Sequence, residues 1–210
     1  SAATGLGVGK LQIQKPQDIT TKQAAAAVGQ CELMYTYDRL FGQYNHTVAQ
    51  MLLTWEDFDH ENRLHNLRNT LERLLELGAI PIINENDPIA CEEYSLGDND
   101  TLAALVGECI HADLVVLLSD IEGLYTADPH THPEAKLLHH VAGIDDHIRE
   151  IAGISSSAQG TGGMVTKLHA ADICLGCGCK MVIANGNNPG NLYDILEGKA
   201  VGTTFSEERL

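Results

Sequence analysis

Gly160-Thr161-Gly162-Gly163-Met164-Val165-Thr166-Lys167 reads as a glycine-rich turn that opens a helix running to about Cys177. Without Cβ atoms at Gly160, Gly162 and Gly163 the backbone can turn tightly and bring its N–H groups close to an anion, and the helix N-terminus adds partial positive charge. Lys167 falls about one turn into the helix, from where its ammonium can meet the same anion as a point charge. The spacing is neither a Walker A loop nor a Gly-x-Gly-x-x-Gly dinucleotide turn. A plain flexible loop with a tight helix start uses the same residues.

Outward from this stretch the chain alternates helices and strands. Downstream come a strand over Lys180 to Asn185 and a short helix over Leu192 to Leu196. Upstream a helix spans Gly143 to Ala152, and Leu114 to Leu118 (LVVLL) is the clearest buried strand, emptying into Ser119-Asp120. Asp98 caps a helix through Leu102, Leu105, Val106 and Ile110, and Ala79 to Asn84 (AIPIIN) is a short strand before the polar loop Asn84 to Pro88. Leu64, Leu67, Leu71, Leu74 and Leu75 recur at helical spacing after Asp57 or Asp59, and Gly78 stops that helix. Thr47 to Thr54 is β-branched and apolar enough for a strand. Thr21 to about Tyr44 reads as a long helix capped by Asp18 or Thr20, with Gly29 marking a close packing contact. Ser1 to Leu11 is rich in small residues and glycine. The pattern predicts an α/β fold, a three-layer αβα arrangement on a largely parallel open sheet, as one domain without repeats or linkers.

The 210 residues are 44% hydrophobic but only 5% aromatic, so the core is expected to be aliphatic. Lys+Arg 13 against Asp+Glu 29 gives a formal charge of −16, which argues against nucleic acid or an anionic membrane as partner. No apolar run is long enough to span a bilayer and no signal pattern opens the chain, so a cytoplasmic location is expected. The six cysteines sit in apolar or helical contexts; Cys174, Cys177 and Cys179 cluster without a second pair to complete a zinc set and read as buried or half-buried thiols. His130, His132, His139 and His140 read as solvated surface, and no histidine is assigned a role.

Glu85, Asp87, Glu92, Glu93, Asp98 and Asp100 crowd two loops, and Asp120 and Asp128 follow the next strand. So many carboxylates at a sheet edge repel one another unless cations intervene, whether Mg²⁺, Lys167 or a substrate ammonium. A solvated acidic rim is the alternative. Asn84, Asn86 and Asn99, set among the acids, both donate and accept, which a small polar ligand requires and a rim does not.

Lys22 to Ala24, Gly29-Gln30, Ile82 to Asp87 (IINEND), Gly97 to Asp100 (GDND), Leu118 to Pro129 (LSDIEGLYTADP) and Gly160 to Lys167 together resemble the amino acid kinase family, in particular its members acting on free glutamate. The resemblance spans nearly the whole chain. It implies ATP- and Mg²⁺-dependent phosphorylation of the γ-carboxylate of L-glutamate, the first step of proline synthesis, by a homo-oligomer (dimer or tetramer) subject to feedback by proline. By position it implies that Asp87 and Asn99 bind glutamate, with Ser1 at the place of a substrate-binding serine. Ser119, Asp120, Thr161, Gly162, Gly163, Met164, Val165, Thr166 and Lys167 are implied in nucleotide binding. Lys167 is implied as a catalytic lysine and Asp100 as the aspartate that positions it; no residue is assigned as a metal ligand.

A γ-carboxylate ordinarily titrates at about 4.3 and is already ionised at neutral pH, so no general base is needed and the lack of a catalytic histidine is expected. Transfer needs alignment and cancellation of phosphoryl charge. Against the family pattern, the first strand with its phosphate lysine, the second strand and a C-terminal RNA-binding-like domain are expected to be missing from this sequence. Another amino acid kinase, such as one acting on acetylglutamate, and a non-catalytic nucleotide, amino-acid or proline sensor are the alternatives.

Overall fold

Asp18 opens the longest helix by accepting the Thr21 N–H at 2.8 Å, and that bond, with a second from the Thr21 side chain, holds its carboxyl below the usual range. The computed structural model describes residues 2–90, 98–129, 131–154 and 163–207. They fall into two compact units, Ser1–Leu96 and Gly97–Leu210.

In the first unit, α1 (Ala2–Leu11) lies against α2 (Ile19–Gly42), followed by β1 (Thr47–Leu53), α3 (Glu56–Asp59), α4 (Glu61–Glu76) and β2 (Ala79–Glu85). Strands β1 and β2 run parallel, in register from Thr47 opposite Ala79 to Leu53 opposite Glu85. Helix α4 buries Leu67 and Leu71, the centre of its leucine stripe, and ends where Gly78 takes a φ of +72°, open to glycine at little cost. The α1–α2 contact is backbone on backbone. A Cβ at Gly7 would stand 1.7 Å from the Ala25 carbonyl oxygen, and one at Gly29 would stand 1.7 Å from that of Ala3. Helix α1 was not expected from sequence, because three glycines in ten residues depress helix propensity. Packing on α2, not propensity, holds it.

The second unit runs α5 (Asn99–Cys109), β3 (Leu114–Ser119), β4 (His140–Val141), α6 (Asp146–Ile154), α7 (Met164–Gly176), β5 (Lys180–Asn185), α8 (Asn191–Leu196) and β6 (Thr203–Phe205). Its sheet has the order β3-β5-β6-β4: β3 with β5 and β4 with β6 are parallel, and β5 with β6 is antiparallel. Val115, Leu117, Met181, Ile183, Leu168, Ala171 and Phe205 form the centre of the core, aliphatic apart from one ring. Each large side chain so buried contributes about 1.5–3 kcal/mol. Asp98 caps α5 through the Thr101 N–H at 2.7 Å, an interaction worth about 1 kcal/mol. Gly107 lets α5 settle on β3, since a Cβ there would meet Val115 Cγ2 at 2.7 Å.

Strand β6, which follows β5 and α8, was not expected from the sequence: at three residues, two of them threonine, it carries no readable alternation. His140 departs from the surface expectation. It belongs to β4, half-buried, with Nε2 3.2 Å from Ser206 Oγ, whereas His132 and His139 are exposed and His130 lies outside the described residues. Cys174 and Cys179 are buried but Cys177 is exposed, which corrects the reading of all three as at least half-buried. Among the described residues no helix is long and apolar enough to cross a membrane.

Candidate active site

Topology gathers the functional side chains of the second unit at one edge. Helix α5 leads into β3 and α7 leads into β5, each packing on the strand it precedes, so both helices run opposite to the strands. Their N-termini therefore stand beside the carboxyl ends of β3 and β5, the edge where parallel α/β sheets bind ligands.

At that edge Lys167, in the first turn of α7, directs Nζ to Asp100 Oδ2 of α5 at 2.9 Å. The side chains are only 8% and 19% exposed, so this ion pair is shielded from solvent. Thr166 Oγ1 donates to the same Asp100 oxygen at 3.1 Å, and also lies 2.8 Å from the Gly163 carbonyl. One carboxylate oxygen thus anchors two successive side chains of α7. Asp100 sits in the first turn of α5, where the helix dipole favours a negative charge. Gly163 is the N-cap of α7 with extended backbone and, among the described residues, no side-chain cap; its carbonyl accepts the Thr166 N–H at 3.1 Å, and the helix end carries partial positive charge.

Ser119 ends β3 opposite Asn185 at the end of β5. Ser119 Oγ donates to Asp120 Oδ1 at 3.1 Å, and the Gly186 N–H donates to the Ser119 carbonyl at 2.7 Å. Asn185 Nδ2 donates to Glu122 Oε1 at 2.7 Å, its Oδ1 accepts from the Asn187 N–H at 2.8 Å, and Asn191 Nδ2 donates to its carbonyl at 3.0 Å. This Asn185-Glu122 wall was missed in the sequence, although Asn-Gly-Asn-Asn directly after an apolar strand is the signal of a polar loop at a strand end. Asn99 is exposed at the first position of α5; Met164 is buried and Val165 exposed on α7. Ser1, Thr161 and Gly162 lie outside the described residues, as do Glu92 and Glu93.

In the first unit, β2 delivers Asn84 and Glu85 buried and Asp87 half-buried in the turn that follows. Asn84 Nδ2 donates to Gln30 Oε1 at 3.2 Å, while Gln30 Nε2 is buried with no protein partner among the described residues. A buried amide donor of this kind calls for a ligand or a water. Gln23 Nε2 ties α2 to the Ala90 carbonyl at 3.1 Å, securing the end of the same loop. Gln30 drew no role from the sequence, because a glutamine in the middle of a helix carries no local signal.

The amino acid kinase family model matches residues 2–185. The chain is 49% identical over 210 residues to glutamate 5-kinase of Clostridium perfringens, covering 98% of this chain and 78% of that one. It is 48% identical over 206 residues to glutamate 5-kinase of Caldanaerobacter subterraneus, covering 98% of this chain and 55% of that protein. Among solved structures, an isopentenyl phosphate kinase in a substrate complex superposes with a TM-score of 0.63 at 17% identity, covering 95% of this chain and 77% of that one. UMP kinase from Bacillus anthracis superposes with a TM-score of 0.59 at 12% identity, covering 96% and 74%. These two speak for the fold alone. With the family model spanning most of its length and relatives near half identity, the chain belongs to the amino acid kinase family.

Proposed function

We propose that this protein transfers the γ-phosphoryl group of ATP to the γ-carboxylate of L-glutamate, forming L-glutamyl 5-phosphate, the first step of proline synthesis. The observation that carries the reading is the shielded Lys167–Asp100 pair in the first turn of α7. Phosphoryl transfer asks the protein mainly for fixed positive charge where phosphoryl oxygens develop charge. Lys167 supplies a full charge, and the first-turn N–H groups of α7 supply partial ones. Asp100, itself bonded by Thr166, anchors the lysine ammonium, so little reorganisation is needed when the phosphates arrive. The approximately half-identical relatives, both glutamate 5-kinases, support glutamate as the acceptor.

The γ-carboxylate attacks as it stands, its oxygen forming the new P–O bond while the bond from γ-phosphorus to the bridging oxygen of ADP breaks. No proton moves. Ser119 and Asp120 contribute to nucleotide binding at the end of β3. Among the described residues no three carboxylate, histidine or cysteine side chains form a metal cage, so Asp120 and Glu122, in the loop after β3, would add at most one or two oxygen ligands to a Mg²⁺ carried in on the nucleotide, which keeps most of its ligands from phosphate and water. Such an ion, when bound, neutralises phosphate charge.

Asp87 accepts the α-ammonium of the substrate. An acetylated amine offers Asp87 no charged donor, and forfeiting that charge-assisted hydrogen bond costs about 1.5 to 3 kcal/mol. Glutamate is therefore expected to be used about tenfold to a hundredfold better than N-acetylglutamate. Hydroxylamine trapping of acyl phosphate, with full-length protein and glutamate, aspartate or N-acetylglutamate, measures this, and Asp87→Asn should remove most of the preference. Preferential use of N-acetylglutamate, or glutamate turnover indifferent to Asp87→Asn, would overturn the assignment.

A further inference from the structure

Helix α7 ends in a turn that brings two cysteines together. Cys177 is its C-cap and Gly178 follows with φ +74°. The Gly178 N–H donates to the Leu175 carbonyl at 3.1 Å and the Cys179 N–H to the Cys174 carbonyl at 2.8 Å. These are the two bonds of a Schellman motif, in which the side chains three residues before and two residues after the cap pack on each other. Here both are cysteines. Cys174 is 0% and Cys179 4% exposed, and the Cys179 Sγ lies 3.4 Å from the Lys180 carbonyl oxygen. Cys177, between them in sequence, is exposed, with its Sγ 3.3 Å from the Cys174 carbonyl on the same turn.

We propose that Cys174, Cys177 and Cys179 form a thiol-oxidation site, in which exposed Cys177 reacts first with a low-molecular-weight disulfide and the buried pair Cys174–Cys179 ends as an intrachain disulfide. Burial pushes the Cys174 thiol up to about 12 and raises that of Cys179 as well, so both stay protonated at neutral pH. The thiolate is the attacking species, which leaves the entry step to the thiol in contact with solvent.

The steps balance as thiol–disulfide exchange. The Cys177 thiolate attacks one sulfur of the disulfide, forming a mixed disulfide and releasing one small thiolate. Cys179, losing its proton to solvent, attacks the Cys177 sulfur and expels the second small thiolate. Cys174, likewise deprotonated, attacks the Cys179 sulfur and returns Cys177 as a thiolate. In total two protein thiols are oxidised, one small disulfide is reduced to two thiols, and the protons lost by the cysteines pass through solvent to the released thiolates. The slow deprotonations are local, because all three sulfurs sit on one turn and Cys177 is already at the surface. The site lies at the opposite end of α7 from Lys167 and is independent of the kinase reading.

Glutathione disulfide is the probe. The native protein is incubated with it, quenched by alkylation, and its cysteines are located by peptide mass mapping. A bond between Cys174 and Cys179 is expected to accumulate with Cys177 alkylated, and dithiothreitol should reverse it. Cys31, exposed on α2, is expected to give only a mixed disulfide. Cys177→Ser should slow formation of the Cys174–Cys179 bond at least about tenfold, since the exposed attacking thiol is gone. Cross-linking at an unchanged rate in Cys177→Ser would overturn the proposal, as would a native protein in which Cys177 stops at the mixed disulfide or bonds permanently to either neighbour.

Discussion

Lys167→Met is expected to lower ATP-dependent phosphoryl transfer by about 10² to 10³-fold, because a preorganised charge-assisted contact to the reacting group is worth about 3 to 4 kcal/mol in the transition state. The substitution also strands Asp100, a largely shielded carboxylate, without the partner it holds at 2.9 Å. Breaking a buried pair by removing one member costs up to about 3–5 kcal/mol, and the 19% exposure of Asp100 places the cost toward the lower end. The two effects separate in the double variant Lys167→Met with Asp100→Asn. Neutralising the stranded carboxylate should recover much of the stability, read as the urea midpoint, and none of the turnover. A single variant that keeps turnover within about threefold of native, well short of the loss expected for such a contact, would remove Lys167 from the chemistry.

Gly29→Ala is the second large effect, this time on stability. Its new Cβ would meet the Ala3 carbonyl oxygen at 1.7 Å and the Gly7 nitrogen at 2.6 Å, backbone atoms that cannot rotate away. Helices α1 and α2 must move apart, and a loss of about 3 kcal/mol is expected, at the upper end of overpacking costs. Gly7→Ala should behave alike, for its Cβ would stand 1.7 Å from the Ala25 carbonyl oxygen. Gly5 and Gly9 on the same helix have nothing within 4 Å, so Gly5→Ala and Gly9→Ala should instead stabilise, by up to about 1 kcal/mol of helix propensity. Denaturant midpoints for the four variants decide the matter. Equal effects at Gly5 and Gly7 would contradict the packing described.

Where local chemistry dictates local structure, the sequence was readable. The α4 leucines recur at helical spacing and Gly78 stops them; Asp18 and Asp98 stand where caps belong; the apolar runs of β1, β2, β3 and β5 fall within about a residue of their observed bounds. Gly29 was legible as a close contact, but its partner was not: α1 exists because α2 receives it, which is tertiary information. Strands β4 and β6, of two and three residues, are too short to show a period, and they owe their conformation to pairing with each other and with β5. At the site, glycines before a helix pointed to Lys167 by their own chemistry. Asp100 stands 67 residues from it in the chain, and no local pattern links them; only the family resemblance suggested the pair. Thr166 entered as part of a loop, whereas its bond to the same Asp100 oxygen appears only in three dimensions.

In the proposed reaction a glutamate carboxylate oxygen attacks the γ-phosphorus of ATP. Glutamate labelled with ¹⁸O in its γ-carboxylate tests it most directly. Full-length protein converts the labelled glutamate with ATP in the presence of hydroxylamine, which attacks the acyl carbon and releases phosphate with the bridging oxygen attached. The released phosphate is then read by ³¹P NMR. One ¹⁸O in each phosphate released with hydroxamate is the expected result; phosphate without label, released whether or not glutamate is present, would show ATP hydrolysis by water and contradict the account.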